Sequence, residues 1–297
     1  MQAIGKVNRQ RHWQIVILLV VCVGVAAFAS PGSAKATDAS CPDVMFIGVR
    51  GSGEKSLAAT RGMGRSVYYM GTRLKEAINS QGETMGYLGV AYRADPVEEL
   101  IPSSFELTAL QSKAFGIALA LYYRRHVHPF VESIDEGAAK TVQAIRTTRS
   151  DCPDTEMVLA GYSQGAMAVH QAQLGLIKEG DRDALDYIGG TLLLADGDRV
   201  PNTAAILIGG ASRSGGGVRA KLHAGVLRPQ DVAEPATTVE ICSPHDIVCD
   251  FSPQAVFKFG RGTLLRYKNV HTSYVDERRQ LLNDAVRRIA FEMGLVD

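Results

Sequence analysis

One pentapeptide, Gly161-Tyr162-Ser163-Gln164-Gly165, lies between an apolar run, Met157 to Ala160, and a stretch of helical character, Ala166 to Ile177. G-x-S-x-G in that setting requires a strand that turns very sharply into a helix. The residues two positions either side of the serine then have no room for a side chain. The turn strains the serine and lifts its Oγ clear of the sheet, at the positive end of the following helix. A free serine hydroxyl is a weak nucleophile and needs a base beside it. The bland alternative is a glycine-rich turn with a solvated serine. The strand before it and the helix after it argue against that.

The rest of the chain supplies the sheet such a turn needs. Apolar runs predict strands at Val44 to Val49, Tyr87 to Tyr92, Thr191 to Ala195 and Thr238 to Ile241, besides Met157 to Ala160. Helical spacing of apolar residues marks Gly64 to Gln81, Ser133 to Thr148 and about Asp276 to Met293. Ser133 and Glu136 read as a capping box at the start of the second of these. Strands alternating with helices predict an α/β domain with a mostly parallel five-stranded sheet covered on both faces. Two stretches break the alternation: Asp95 to His128, rich in apolar residues, and Gly197 to Pro235, rich in Gly and Pro. Long loops in compact domains are usually lids or binding loops.

A base and an orienting acid are expected in the chain order Ser, Asp, His. Of seven histidines, His12, His126, His128 and His170 stand before the serine or beside it in the flanking helices. His271, in a loop before the last helix, is the predicted base. Asp246, just past the Thr238 to Ile241 strand, is the predicted acid, because sites of α/β sheets lie at the carboxyl edge. His245 adjoins Asp246, and neighbours on a turn seldom face each other. Asp196 and Asp198 are rival acids one strand too early. The oxyanion hole needs two donors. The N–H of Gln164 is one, and Ser52 in Arg50-Gly51-Ser52-Gly53 offers its N–H and hydroxyl as the other. That same stretch is a near miss for a phosphate loop, with Glu54 where a lysine must stand.

The first 36 residues read as a secretory signal peptide. Lys6, Arg9 and Arg11 precede 15 uncharged residues, Ile15 to Ala29, and Ala34-Lys35-Ala36 resembles a cleavage site. That run is short for a membrane span, which needs about 20 residues. Without residues 1–36 the formal net charge of +1 becomes −3, with 28 bases against 31 acids. A mildly acidic exported protein is not built to grip a nucleic acid. Export also removes Cys22 and leaves Cys41, Cys152, Cys242 and Cys249, which can pair in three ways. Cys242 and Cys249 are seven apart, so a local bridge is the economical choice, and Cys41 would then pair with Cys152. No C-x-x-C is present, which argues against zinc.

Several of these segments together resemble the cutinase family of secreted serine esterases. Cys152-Pro153-Asp154 followed by Ala160 to Ala166 resembles its nucleophile region. Cys242-x-x-x-Asp246-x-x-Cys249 resembles its acid-bearing disulfide loop, and His271 its base. Arg50-Gly51-Ser52 resembles its oxyanion loop, and Ala91-Tyr92-Arg93-Ala94 is a further shared stretch. The resemblance implies a small α/β-hydrolase without metal or organic cofactor, spanning residues 37–297 and carrying the bridges Cys41–Cys152 and Cys242–Cys249. Compact members have shorter intervals where this chain has Asp95 to His128, Gly197 to Pro235, and the 24 residues between Asp246 and His271. In this it is similar to longer actinobacterial members that act on lipid esters. Some long-insert members hold the base away from the serine at rest. Ile101 to Leu121 is expected to form an apolar cap over an acyl pocket.

The expected activity is therefore that of a secreted, monomeric serine carboxylic-ester hydrolase. Its substrate is a lipid or polyester ester, met at an envelope lipid surface. Phospholipase A, acyl-thioesterase and mycolate-ester hydrolase activities would use the same triad. A catalytically silent lipid-binding protein is the reading of another class.

Overall fold

A computed structural model describes residues 41–96, 115–222, 237–252 and 265–296. The segment read as a signal peptide and residues 101–114 of the expected cap lie outside them.

Six strands form one sheet: β1 (Val44–Val49), β2 (Met85–Gly89), β3 (Glu156–Tyr162), β4 (Ile188–Leu194), β5 (Ile206–Ile208) and β6 (Thr237–Ile241). Their order is β2-β1-β3-β4-β6-β5, and every pairing is parallel. All the carboxyl ends therefore share one edge. Alternate side chains supply two cores. Phe46, Val158, Ala160, Leu192 and Leu194 face one side, where they meet α1 (Arg65–Ser80) through Val67, Met70 and Leu74. Ile47, Val49, Met157, Leu159 and Leu193 face the other. There α3 (His128–Asp151) and α4 (Gln164–Glu179) cover them with Ile134, Ile145, Met167 and Val169. Burial on both faces is why the strands read as near-continuous apolar runs.

Three expectations are corrected. Among the described residues the sheet has six strands, not five: the three-residue β5 joins the edge beside β6, inside the Gly- and Pro-rich stretch. That stretch also holds the short helix α6 (Val218–Leu222), while α5 (Arg182–Leu185) precedes β4. The helix around Ser133 does not begin there. It continues from α2 (Phe115–Tyr122) through a π turn, Tyr123–Val127, into α3. Ser133 is thus a buried mid-helix residue whose Oγ accepts the N–H of Asp95 at 3.2 Å, and Glu136 pairs with Arg93 and Lys140. No free N–H exists at that point for a capping box to satisfy. Finally, His271 stands in a helix through 265–272 rather than in a loop. The chain then closes with α7 (Tyr274–Glu277) and α8 (Arg279–Glu292).

Candidate active site

β3 ends on Tyr162 and α4 begins on Gln164, so Ser163 alone makes the turn between them. Its φ of 55° lies in the left-handed region that residues with a Cβ seldom adopt. Both flanking glycines are steric necessities. A Cβ at Gly161 would lie 2.4 Å from the carbonyl oxygen of Gly165, and one at Gly165 2.3 Å from that of Val49. Because β3 lies between β1 and β4, the serine emerges in the interior of the carboxyl edge. It also stands at the positive end of α4.

His271 reaches this serine from a distant part of the chain. Its Nε2 lies 2.9 Å from Ser163 Oγ, and its Nδ1 lies 3.0 and 3.1 Å from the two carboxylate oxygens of Asp246. The base is therefore not held away from the serine. The Cys242–Cys249 disulfide closes the turn after β6 that carries Asp246. Asp246 Oδ1 accepts the N–H groups of Val248 at 2.7 Å and Cys249 at 3.1 Å. Burial works against ionisation of this fully enclosed carboxyl. The His271 imidazole and the two backbone N–H groups outweigh it and hold the carboxyl below the usual carboxylate value.

The rivals are occupied elsewhere. His245 is exposed and stacks on Tyr267, ring centroids 5.2 Å apart. Asp196 binds His170 at 2.6 Å, and Asp198 pairs with Arg219 at 2.8 Å. His128 sits 3.6 Å from Glu132 on the surface of α3, and His223 lies outside the described residues.

Two tyrosines that the sequence did not single out frame the Ser163, His271 and Asp246 contacts. The Tyr162 ring stacks on the imidazole of His271, centroids 5.3 Å apart, and its hydroxyl donates to the His271 carbonyl at 2.8 Å. A Cβ at Gly51 would also meet this ring, at 2.5 Å. Tyr274 donates its hydroxyl to Asp246 Oδ2 at 2.9 Å. Tyr162 occupies a variable position of the pentapeptide, and Tyr274 belongs to no motif, so composition offers no signal for either.

The turn after β1 brings the second predicted oxyanion donor. Ser52 is half-buried, and its hydroxyl donates to the carbonyl of Asp95 at 2.7 Å. Gln164 is buried, its side-chain amide donating to Phe130 O at 3.3 Å and accepting from Tyr92 at 3.4 Å. Glu54 explains why this turn is no phosphate loop. Its carboxylate accepts the N–H of Gly51 at 2.7 Å and of Arg65, the first residue of α1, at 2.9 Å. The protein's own anion occupies the helix terminus that a phosphate would need. Burial raises this carboxyl's pKa, opposed by those two N–H groups and by the charges of Arg50 and Arg65.

The second bridge, Cys41–Cys152, ties the entry to β1 to the passage between α3 and β3. Among the described residues no cluster of three or more His, Cys, Asp or Glu is placed to hold a metal ion, and no helix is long and apolar enough to cross a membrane.

A profile of the cutinase family matches residues 40–282. A carboxylesterase Culp6 homolog of Corynebacterium glutamicum is 28% identical over 134 residues, which cover 40% of this chain and 43% of that protein. Cutinase 4 of Emericella nidulans is 30% identical over 145 residues, 48% of each. The chain thus spans less than half the length of these curated relatives. Among solved structures, a cutinase-like protein from Cryptococcus sp. superposes with a TM-score of 0.55 at 19% identity, covering 87% of this chain and 98% of that one. The catalytic core domain of an acetyl xylan esterase from Trichoderma reesei gives 0.50 at 17% identity, covering 84% and 99%. At such identities the likeness is one of fold.

Proposed function

Because the chain belongs to the cutinase family, we propose that it is a secreted serine carboxylic-ester hydrolase working through an acyl-enzyme. The observation that carries this reading is the continuous contact from Ser163 Oγ through the His271 imidazole to Asp246, with 2.9 Å between Oγ and Nε2. Ser163 Oγ attacks the ester carbonyl while His271 Nε2 takes its proton. The imidazolium then gives that proton to the departing alcohol. A water repeats the sequence in reverse and frees the acid. Asp246 orients the imidazole and stabilises its charged form. The N–H groups of Gln164 and Ser52 receive the oxyanion; with the Ser52 hydroxyl engaged by Asp95, its N–H is the group assigned here. Losing one such donor costs about 3 kcal/mol of barrier.

The substrate assigned is a lipid ester. The long interval before α3 supports it: α2 is apolar along its length, and Ile117 and Leu121 stand exposed on it. The same features make an envelope lipid surface the expected place of action, with the enzyme a monomer there. Secretion rests on residues 1–36 alone.

Covalent labelling by a fluorophosphonate tests the core of this reading. Labelling in the native protein and its loss in Ser163→Ala is the expected result. No labelling of the native protein would leave the silent lipid-binding alternative. A series of p-nitrophenyl esters tests the acyl pocket: rates should rise with chain length, and a flat or strictly short-chain profile would remove the cap.

A further inference from the structure

Tyr274 begins α7 three residues beyond His271, so one short segment brings both the base and a phenol to the triad. The phenol is buried, at 1% exposure. Its oxygen receives the N–H of Ser243, the second residue past β6, at 2.9 Å. A phenol that accepts from one side has a single proton to give. Two acceptors lie near it: Asp246 Oδ2 at 2.9 Å and the disulfide sulfur of Cys249 at 3.8 Å. Sulfur is the weak one, so the backbone at Ser243 aims the hydroxyl proton at the carboxylate. We propose that Tyr274 is a positioning residue for the triad: its hydroxyl holds the plane of the Asp246 carboxylate and takes up part of the negative charge that Asp246 otherwise presents to His271. This rests on the ester-hydrolase reading above.

The contacts around the carboxylate divide the labour. Val248 and Cys249 fix Oδ1 through backbone N–H groups, and Tyr274 fixes Oδ2, while the imidazole Nδ1 sits between the two oxygens. The carboxylate cannot rotate without breaking a bond on one side or the other. Burial, reinforced by the adjacent carboxylate, pushes the phenol's pKa well above its ordinary value, so it stays a donor wherever the enzyme works.

Removing the hydroxyl leaves more charge on the carboxylate. The hydrogen bond from His271 Nδ1–H to Asp246 then shortens, and the imidazolium is held harder, so the base releases its proton less readily. A weaker or stronger phenol donor must move both quantities, in opposite senses, whereas a residue that merely fills space would move neither.

The test compares the native protein, Tyr274→Phe, and the protein with 3-fluorotyrosine incorporated at position 274, a stronger donor of nearly the same shape. The readouts are the downfield proton resonance of His271 Nδ1–H and the pH dependence of kcat/KM on a p-nitrophenyl ester. Tyr274→Phe should move the resonance further downfield and the acid limb to higher pH by about half a unit. It should also lower kcat about tenfold with little change in KM. Fluorination should shift resonance and limb the other way. If Tyr274→Phe does not fold, the fluorinated protein decides alone. A resonance and limb unmoved by fluorination would make Tyr274 a packing residue and overturn the proposal. A native protein that turns over no ester would sink the functional reading instead, while the resonance would still decide whether the phenol governs the Asp246–His271 bond.

Discussion

His271 and Asp246 meet at the carboxyl edge of the sheet; His170 and Asp196 meet at 2.6 Å between α4 and the loop after β4. Both pairs are buried. Their surroundings differ. Asp246 is encircled by backbone N–H groups, a phenol and an imidazole, with no second carboxylate bonded to it among the described residues. Asp196 accepts the N–H of Asp198, whose own carboxylate is buried beside it, held by the Gln171 amide at 2.6 Å and Arg219 at 2.8 Å. Burial pushes the Asp198 carboxyl up to about 6; Asp196 adds to the rise, while Arg219, His170 and Gln171 oppose it. Equal burial thus gives opposite directions. At Asp246 the charge of the His271 imidazole and the bonds to His271, Val248 and Cys249 outweigh burial, whereas at Asp198 burial, helped by Asp196, outweighs Arg219. The second cluster joins α4, the loop after β4 and α6, which makes it a fastening for the inserted stretch.

Substitution should separate the two pairs most sharply in rate. Asp246→Asn should lower kcat on a p-nitrophenyl ester about 10⁴-fold, since the imidazole loses its orienting partner. Asp196→Asn should leave kcat within about threefold, because its pair touches no reacting atom; a large loss there would merge the two regions into one functional unit. Stability should sort them the other way. His170→Ala leaves the buried Asp196 carboxyl without its partner and should cost about 3 kcal/mol in urea unfolding, while Ser163→Ala should change stability little.

Acidity should sharpen the contrast further. Asp198 binds a proton below about 6 when folded but only near its ordinary value of 3.8 when unfolded, so its contribution to stability falls as pH rises between those values. Asp246 is held below 3.8, so its contribution is complete above that value and is lost as pH falls through the folded one. Urea titrations across this range should show the Asp198 slope vanish in Asp198→Asn and persist in Asp246→Asn. The smallest effect is expected outside both. Arg65 and Asp276 form an exposed pair at 2.8 Å, and Asp276→Ala should cost under about 1 kcal/mol. A larger loss would mean that α1 and α7 lean on it.

The alternation of strands and helices was readable because both faces of the sheet are covered, which leaves unbroken apolar runs such as Val44 to Val49. The positions of Ser163, Asp246 and His271 at one edge followed from chain order and the direction of a parallel sheet. Other features had no local signal. β5 is three residues long in a stretch of Gly and Pro, too short for any period to register. Ser133 and Glu136 have the spacing of a cap, but tertiary contacts claim both side chains. The helix holding His271 has its apolar face on Tyr267 and Val270 and then on His271 itself, so only two apolar residues mark that face before Tyr274. The two tyrosines are tertiary partners, legible only once distant segments are brought together.

The Tyr162 ring has the imidazole of residue 271 stacked against it and the bare backbone of Gly51 close by. Three stretches far apart in sequence therefore meet at one aromatic ring. Bulk gained at position 51 must be given up at 162, and a smaller ring at 162 frees the imidazole to slide. Divergence in such a chain is expected to travel in matched steps, with the turn after β1 and the centre of the pentapeptide changing size together or not at all.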